Sequence, residues 1–191
     1  MSADPDTLAD WPRALYRGSL FGLGAWLVAL LVVGGVAMAG DLPFTDVVPL
    51  WKGWAWYFLD AQFVPVVRTG GSRTVTLDLL ALVGSPLTPL ARPTPPLVLV
   101  GAGAVALRDG LFEDAPYAVG AALLPGYLVP TVAAAVLGAH TLTFGAGGFT
   151  LRQTVAAELG PTLVAVAVGY PLVFGGLGGA LAARLRVRES D

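Results

Sequence analysis

The sequence predicts an all-α integral membrane protein forming a single membrane domain. It has about four transmembrane helices and an external aromatic-rich amphipathic segment with room for a small β-hairpin. Hydrophobic residues make up 55% of the 191-residue chain and charged residues 13%, about half the charge usual in soluble domains. A water-soluble core of this size does not need so much apolar surface, so the excess faces lipid. Long runs without charge alternate with short charged connections, and most arginines gather at run ends.

Residues 1–12 are polar and acidic (Asp4, Asp6, Asp10) and read as a cytoplasmic tail. The uncharged run 18–39 follows Arg13 and Arg17 and matches the ~20 residues that cross the hydrocarbon. Val36-Ala37-Met38-Ala39-Gly40 has the small residues of a cleavage site. The run is nevertheless longer than the ~7–15 apolar residues of a signal peptide, so it reads as a retained first span. Gly18-x-x-x-Gly22 puts two positions without side chains on one face, which permits close helix approach.

Residues 41–92 form the external segment, centred on Pro49–Val67 with three of the five tryptophans and the only lysine. Over 50–60, Leu50, Trp51, Trp54 and Phe58 recur at helical spacing while Lys52 and Asp60 lie off that face. An interfacial helix fits this pattern, and so does a helix packed on the spans through its aromatics. Over 63–79, Val- and Thr-rich runs flank Arg68-Thr-Gly-Gly-Ser-Arg73, the pattern of a hairpin turning at Gly70-Gly71, with Pro65 at an edge or bulge. Leu79–Leu90, broken by Gly84, Pro86 and Pro89, reads as a re-entrant or surface segment.

The second span is expected over 93–112. It starts on prolines suited to a first helical turn and ends where Arg108 can extend to the interface. The third, 115–139, contains Pro116, Pro125 and Pro130. Residues 140–150 read as a glycine-rich connection. The fourth span, 160–183, contains Pro161 and Pro171, and Arg184, Arg186 and Arg188 follow in a cytoplasmic tail over 184–191. With four spans, Arg13, Arg17, Arg108 and the terminal arginines share one side. The positive-inside rule then puts both termini in the cytoplasm of a multi-pass cell-membrane protein.

Candidate residues for chemistry are few. His140 is the only histidine and cannot by itself build a histidine metal site or triad, so it reads as an interfacial hydrogen-bonding residue. Asp109 and Glu113 lie in a charged turn that is solvated on this topology and would mark a proton or cation path inside a bilayer. Asp78 is the acid most embedded in apolar sequence, either a hairpin-edge residue or a buried functional carboxylate. Trp51, Trp54, Trp56 and Tyr57 are candidates for partner or lipid contact. So are Gly175 and Gly179, whose small-xxx-small spacing suits a homo-oligomer or another membrane protein. No serine nucleophile elbow or dinucleotide fingerprint occurs. The absence of cysteine excludes disulfides, iron–sulfur clusters and thiolate zinc sites. A net charge of -2, with the few arginines scattered or terminal, does not imply nucleic acid as a partner, and no cofactor is implied.

Trp51-Lys52-x-x-x-Trp56-x-Phe58-x-Asp60-Ala61-x-Phe63-Val64, Gly126-Tyr-Leu-Val-Pro130 and Tyr170-Pro-Leu-Val-Phe-Gly-Gly-Leu-Gly-Gly179 resemble segments of a family of uncharacterised haloarchaeal multi-span membrane proteins. Asp60 and Gln62 stand where that family's motif has Asn and His. Some members are labelled transporters, and the resemblance implies membrane architecture without an activity. Two functional classes follow: a non-enzymatic structural or accessory subunit of a membrane complex, and a small oligomeric transporter or channel using proline-broken helices.

Overall fold

Runs of Leu, Ala, Val and Gly, free of charge and too long for a strand, set the long helices. The computed structural model describes residues 11–40, 47–146 and 149–189. Most of the expected tail over 1–12 therefore lies outside the described residues. Helix α1 (Trp11–Met38) starts ahead of the uncharged run and carries Arg13 and Arg17 in its first turns. Next come α2 (Leu50–Ala61), strands β1 (Val66–Gly70) and β2 (Arg73–Leu77), and short helices α3 (Leu79–Val83) and α4 (Thr88–Ala91). Helix α5 (Thr94–Arg108) leads through a 3₁₀ turn at Pro116–Ala118 into α6 (Val119–Leu137). Strands β3 (His140–Ala146) and β4 (Phe149–Ala157) precede α7 (Pro161–Tyr170), a π-helical turn (Pro171–Gly175) and α8 (Gly176–Glu189).

Among the described residues, four stretches are long and apolar enough to cross a membrane: Trp11–Met38, Thr88–Arg108, Pro116–Leu137 and Pro161–Val187. At most half of each apolar window is buried within the chain. The remainder, such as Leu20, Leu27 and Leu31 on α1, is exposed hydrocarbon surface of the kind lipid covers. Pro171 has no N–H for the preceding turn, and the helix answers with the wider π turn that follows.

The chain divides into two units. The first comprises residues 1–28, 96–130 and 167–191, and its helices meet backbone to backbone. A Cβ on Gly22 would run into the carbonyl of Leu123, one on Gly126 into that of Ser19, and one on Gly178 into that of Val100. Gly103 meets Gly175 in the same way. Glycine permits this approach, and the contact area it exposes is what holds helices together where lipid is as apolar as leucine.

The second unit comprises residues 29–95 and 131–166. It holds a four-stranded antiparallel sheet in the order β2-β1-β4-β3. The fold is therefore mostly helical with a sheet, where the sequence predicted all-α with one small hairpin. The expected glycine-rich connection over 140–150 is corrected: most of it forms β3 and the start of β4. Alternation of polar and apolar residues in His140-Thr-Leu-Thr-Phe144 and Thr150-Leu-Arg-Gln-Thr-Val155 carried that signal, masked by the glycines between them. Pairing with β1 completes it, with Val66 opposite Ala157 and Arg68 opposite Val155.

Candidate functional site

Helix α2 is built to be enclosed at its C-terminal half. Ala55 through Ala61 are all buried, whereas Leu50 and Trp51 are half exposed. The expected face of Leu50, Trp51, Trp54 and Phe58 is thus replaced by burial graded along the axis. Trp56 Nε1 donates to the Gly138 carbonyl at 2.9 Å, and Lys52 Nζ donates to the Ala139 carbonyl at 2.5 Å. Both cap carbonyls at the end of α6, which a helix terminus otherwise leaves unpaired. Trp54 lies against Gly34, where a Cβ would come within 2.7 Å of the indole. The Tyr57 hydroxyl is buried without a hydrogen-bond partner. Burial, with a smaller contribution from the Asp60 charge, pushes its pKa up to about 12. Of the four aromatic contact candidates, Trp51 is exposed, while Trp56 and Tyr57 belong to the core.

The densest polar geometry lies where α2 ends. Val64 N–H donates to the Leu59 carbonyl at 3.0 Å and Phe63 N–H to the Asp60 carbonyl at 2.9 Å, the pair of bonds that defines a Schellman cap. The left-handed position of such a cap normally belongs to glycine, as at Gly110 after α5 (φ 83°). Here it is Phe63 at φ 64°, with its side chain exposed. The Arg92 guanidinium lies 5.2 Å from the centre of the Phe63 ring, a cation–π distance.

Arg92 also faces Asp78 at 3.6 Å. Asp78 caps α3 by accepting from Ala81 N–H at 3.0 Å, which makes it an exposed helix cap outside the β-ladder. Asp60, buried, accepts from Leu80 N–H at 2.9 Å. Desolvation, outweighing that hydrogen bond, raises its carboxyl above the usual carboxylate range. Two cavities meet at Asp78 and Arg92, one of about 590 Å³ reaching Ser85 and Thr88 and one of about 270 Å³ reaching Asp60 and Phe63. Oppositely charged groups around a half-apolar hollow can recognise and orient a charged ligand. Among the described residues no three carboxylate or imidazole side chains converge as a metal would require.

The remaining candidates fall elsewhere. His140 Nε2 is 3.2 Å from the Val47 carbonyl. In the other unit, Asp109 pairs with Arg17 through both its carboxylate and its carbonyl, and Glu113 pairs with Arg186 at 3.1 Å. These bonds bring the α5–α6 connection to the arginines of α1 and α8. Gly175 and Gly179 are buried against Gly120 and Pro116 respectively, so intramolecular packing covers both positions proposed for a partner.

Sequence reasoning also missed the sheet's exposed face. Thr74, Thr69, Thr154 and Thr141 stand opposite one another in a single row across all four strands. Their hydroxyls approach in pairs, Thr69 to Thr74 at 3.3 Å and Thr141 to Thr154 at 3.0 Å. The period-two placement of threonine in each run was the available signal, but only the register aligns the row.

These features define a class: a mostly helical protein with, among the described residues, four stretches long and apolar enough to cross a membrane and a small antiparallel sheet. Over residues 2–186 the chain matches a family of unknown function (DUF7978), and it belongs to that family. No curated protein and no solved structure matches it.

Proposed function

We propose that this chain is a non-enzymatic structural or accessory subunit of a membrane complex. The observation that carries the reading is the direct backbone packing of the spanning helices at Gly22, Gly103, Gly126 and Gly178. Contacts this close leave no room between those segments for a polar path. The surfaces left for a second copy or another membrane protein are the apolar outer ridge of α1, the threonine face and Trp51. The arginines also group by unit, with Arg13, Arg17, Arg108, Arg184 and Arg186 in the first. This supports cytoplasmic termini and an external sheet in the cell membrane. The aromatic motif's resemblance to haloarchaeal multi-span proteins fits the same placement. Mild detergent extraction followed by cross-linking tests the reading. A defined complex is expected, and recovery of a lone monomer would count against it.

One observation favours a second reading, a small oligomeric transporter. The π turn at Pro171–Gly175 interrupts a span beside Tyr170, which stacks edge-on with Phe174 at 5.2 Å. Such turns recur at functional sites in helices. Solute flux in proteoliposomes separates the readings: the accessory subunit gives none, and a transporter gives flux that changes in Tyr170→Phe.

A further inference from the structure

We propose that the paired cavities around Asp78 and Arg92 form a binding site for a zwitterion bearing an ammonium group and an oxyanion. The oxyanion, a carboxylate or phosphate, lies on Arg92, and the ammonium lies between Asp78 and Asp60.

Arg92 presents a planar fork of donors suited to two oxygens at once. Its ion-pair partner among the described residues, Asp78, stands at 3.6 Å, too long for a good hydrogen bond. The guanidinium therefore has capacity to spare. Asp78, exposed, and Asp60, buried, line the smaller cavity together with Arg92 and give it both signs. An anion alone would meet those carboxylates and a cation alone would meet Arg92. A ligand with both charges satisfies each.

Two further features are aimed at this hollow. Thr88 lines the larger cavity, and its hydroxyl is buried without a hydrogen-bond partner. A buried hydroxyl without a partner is costly, and a polar ligand group reached by rotation of that hydroxyl would satisfy it. The second feature is Phe63. Its left-handed backbone position would suit glycine better, and strain of this kind persists where a side chain is needed. The ring lies 5.2 Å from the Arg92 guanidinium, close enough to attract it through a cation–π contact.

The rim indicates where such a ligand comes from. Leu82, Leu87 and Leu90 on and between α3 and α4 are exposed, and α4 opens the span Thr88–Arg108. Charged groups inside an apolar rim at a span end suit the headgroup of an aminophospholipid. This source rests on the membrane reading above, whereas the charge recognition does not.

The test uses the full-length protein in nonionic detergent, titrated with short-chain phosphatidylethanolamine, short-chain phosphatidylglycerol, O-phosphoethanolamine and glycine. Phosphatidylethanolamine is expected to bind at least about tenfold more tightly than phosphatidylglycerol, which lacks the amine. Arg92→Gln should weaken both lipids. Asp78→Asn, which keeps the oxygen that caps α3, should bring phosphatidylethanolamine down to the level of phosphatidylglycerol. Thr88→Val should weaken binding, and Phe63→Gly should do so without lowering the melting temperature. Binding of the two soluble zwitterions as tightly as the lipid would support the recognition chemistry and assign a soluble ligand. Equal affinity for the two lipids, no binding by any probe, or indifference to Asp78→Asn and Arg92→Gln would overturn the proposal. Carbonate extraction of the same protein reports on the membrane reading separately.

Discussion

Single residues decide how the aromatic segment is held. Trp56→Phe removes the donor to the Gly138 carbonyl and leaves that buried acceptor unpaired, at a cost of about 1–3 kcal/mol. Thermal unfolding in detergent should show the loss, while Trp51→Phe on the exposed end should change stability little. Asp60 makes a prediction with a pH signature. Its carboxyl titrates higher in the folded chain than in the unfolded chain, where the value is about 3.9. The folded state therefore holds a proton that the unfolded chain releases. The contribution of Asp60 to stability is fullest below about pH 4 and is lost as pH rises through the raised folded value. Asp60→Asn keeps an oxygen for Leu80 N–H and cannot ionise, so its pH–stability profile over that window should be flatter than wild type. An Asp60→Asn profile that rises less steeply, or falls more steeply, than wild type over the same window would reverse the assignment. The aromatic richness of α2 and the interest of Asp78 were legible in the sequence. The strained cap at Phe63 was not, because a left-handed phenylalanine is unfavourable locally and only the surrounding structure enforces it.

Elements are held together by what glycine leaves out. Gly126→Ala and Gly178→Ala drive a methyl into the carbonyls of Ser19 and Val100. Overpacking against backbone costs about 1–3 kcal/mol. Gly24→Ala and Gly101→Ala, with open space around the new methyl, are the controls and should be neutral or mildly stabilising. If all four variants unfold alike, backbone contact is not what holds the first unit. On the sheet, Thr154→Ala breaks the hydroxyl pair with Thr141 and should cost no more than about 1 kcal/mol, the worth of a cross-strand pair. The period-2 alternation that makes β3 and β4 was present in the sequence. A glycine-rich centre hid it, and no local signal names β1 as the partner of β4.

The whole molecule makes a topological prediction, and the absence of native cysteine makes it clean to test. An impermeant maleimide should label Ser72→Cys, in the β1–β2 turn, on intact cells. Asp114→Cys, between α5 and α6, should be labelled only after permeabilisation. The reverse pattern would invert the orientation, and labelling of both from outside would break the even-span reading. The sequence by itself determined the four runs long and apolar enough to cross a membrane, because length and absence of charge are properties of each run taken alone. It also determined the grouping of arginines at run ends. The tertiary structure alone decided that Gly175 and Gly179 face the chain's own helix, that four threonines form one row, and that Asp60, Asp78, Arg92 and Phe63 share a hollow. Those are relations between segments far apart in the chain. They depend on register, close approach and the direction of side chains, and none of these exists until the segments are packed.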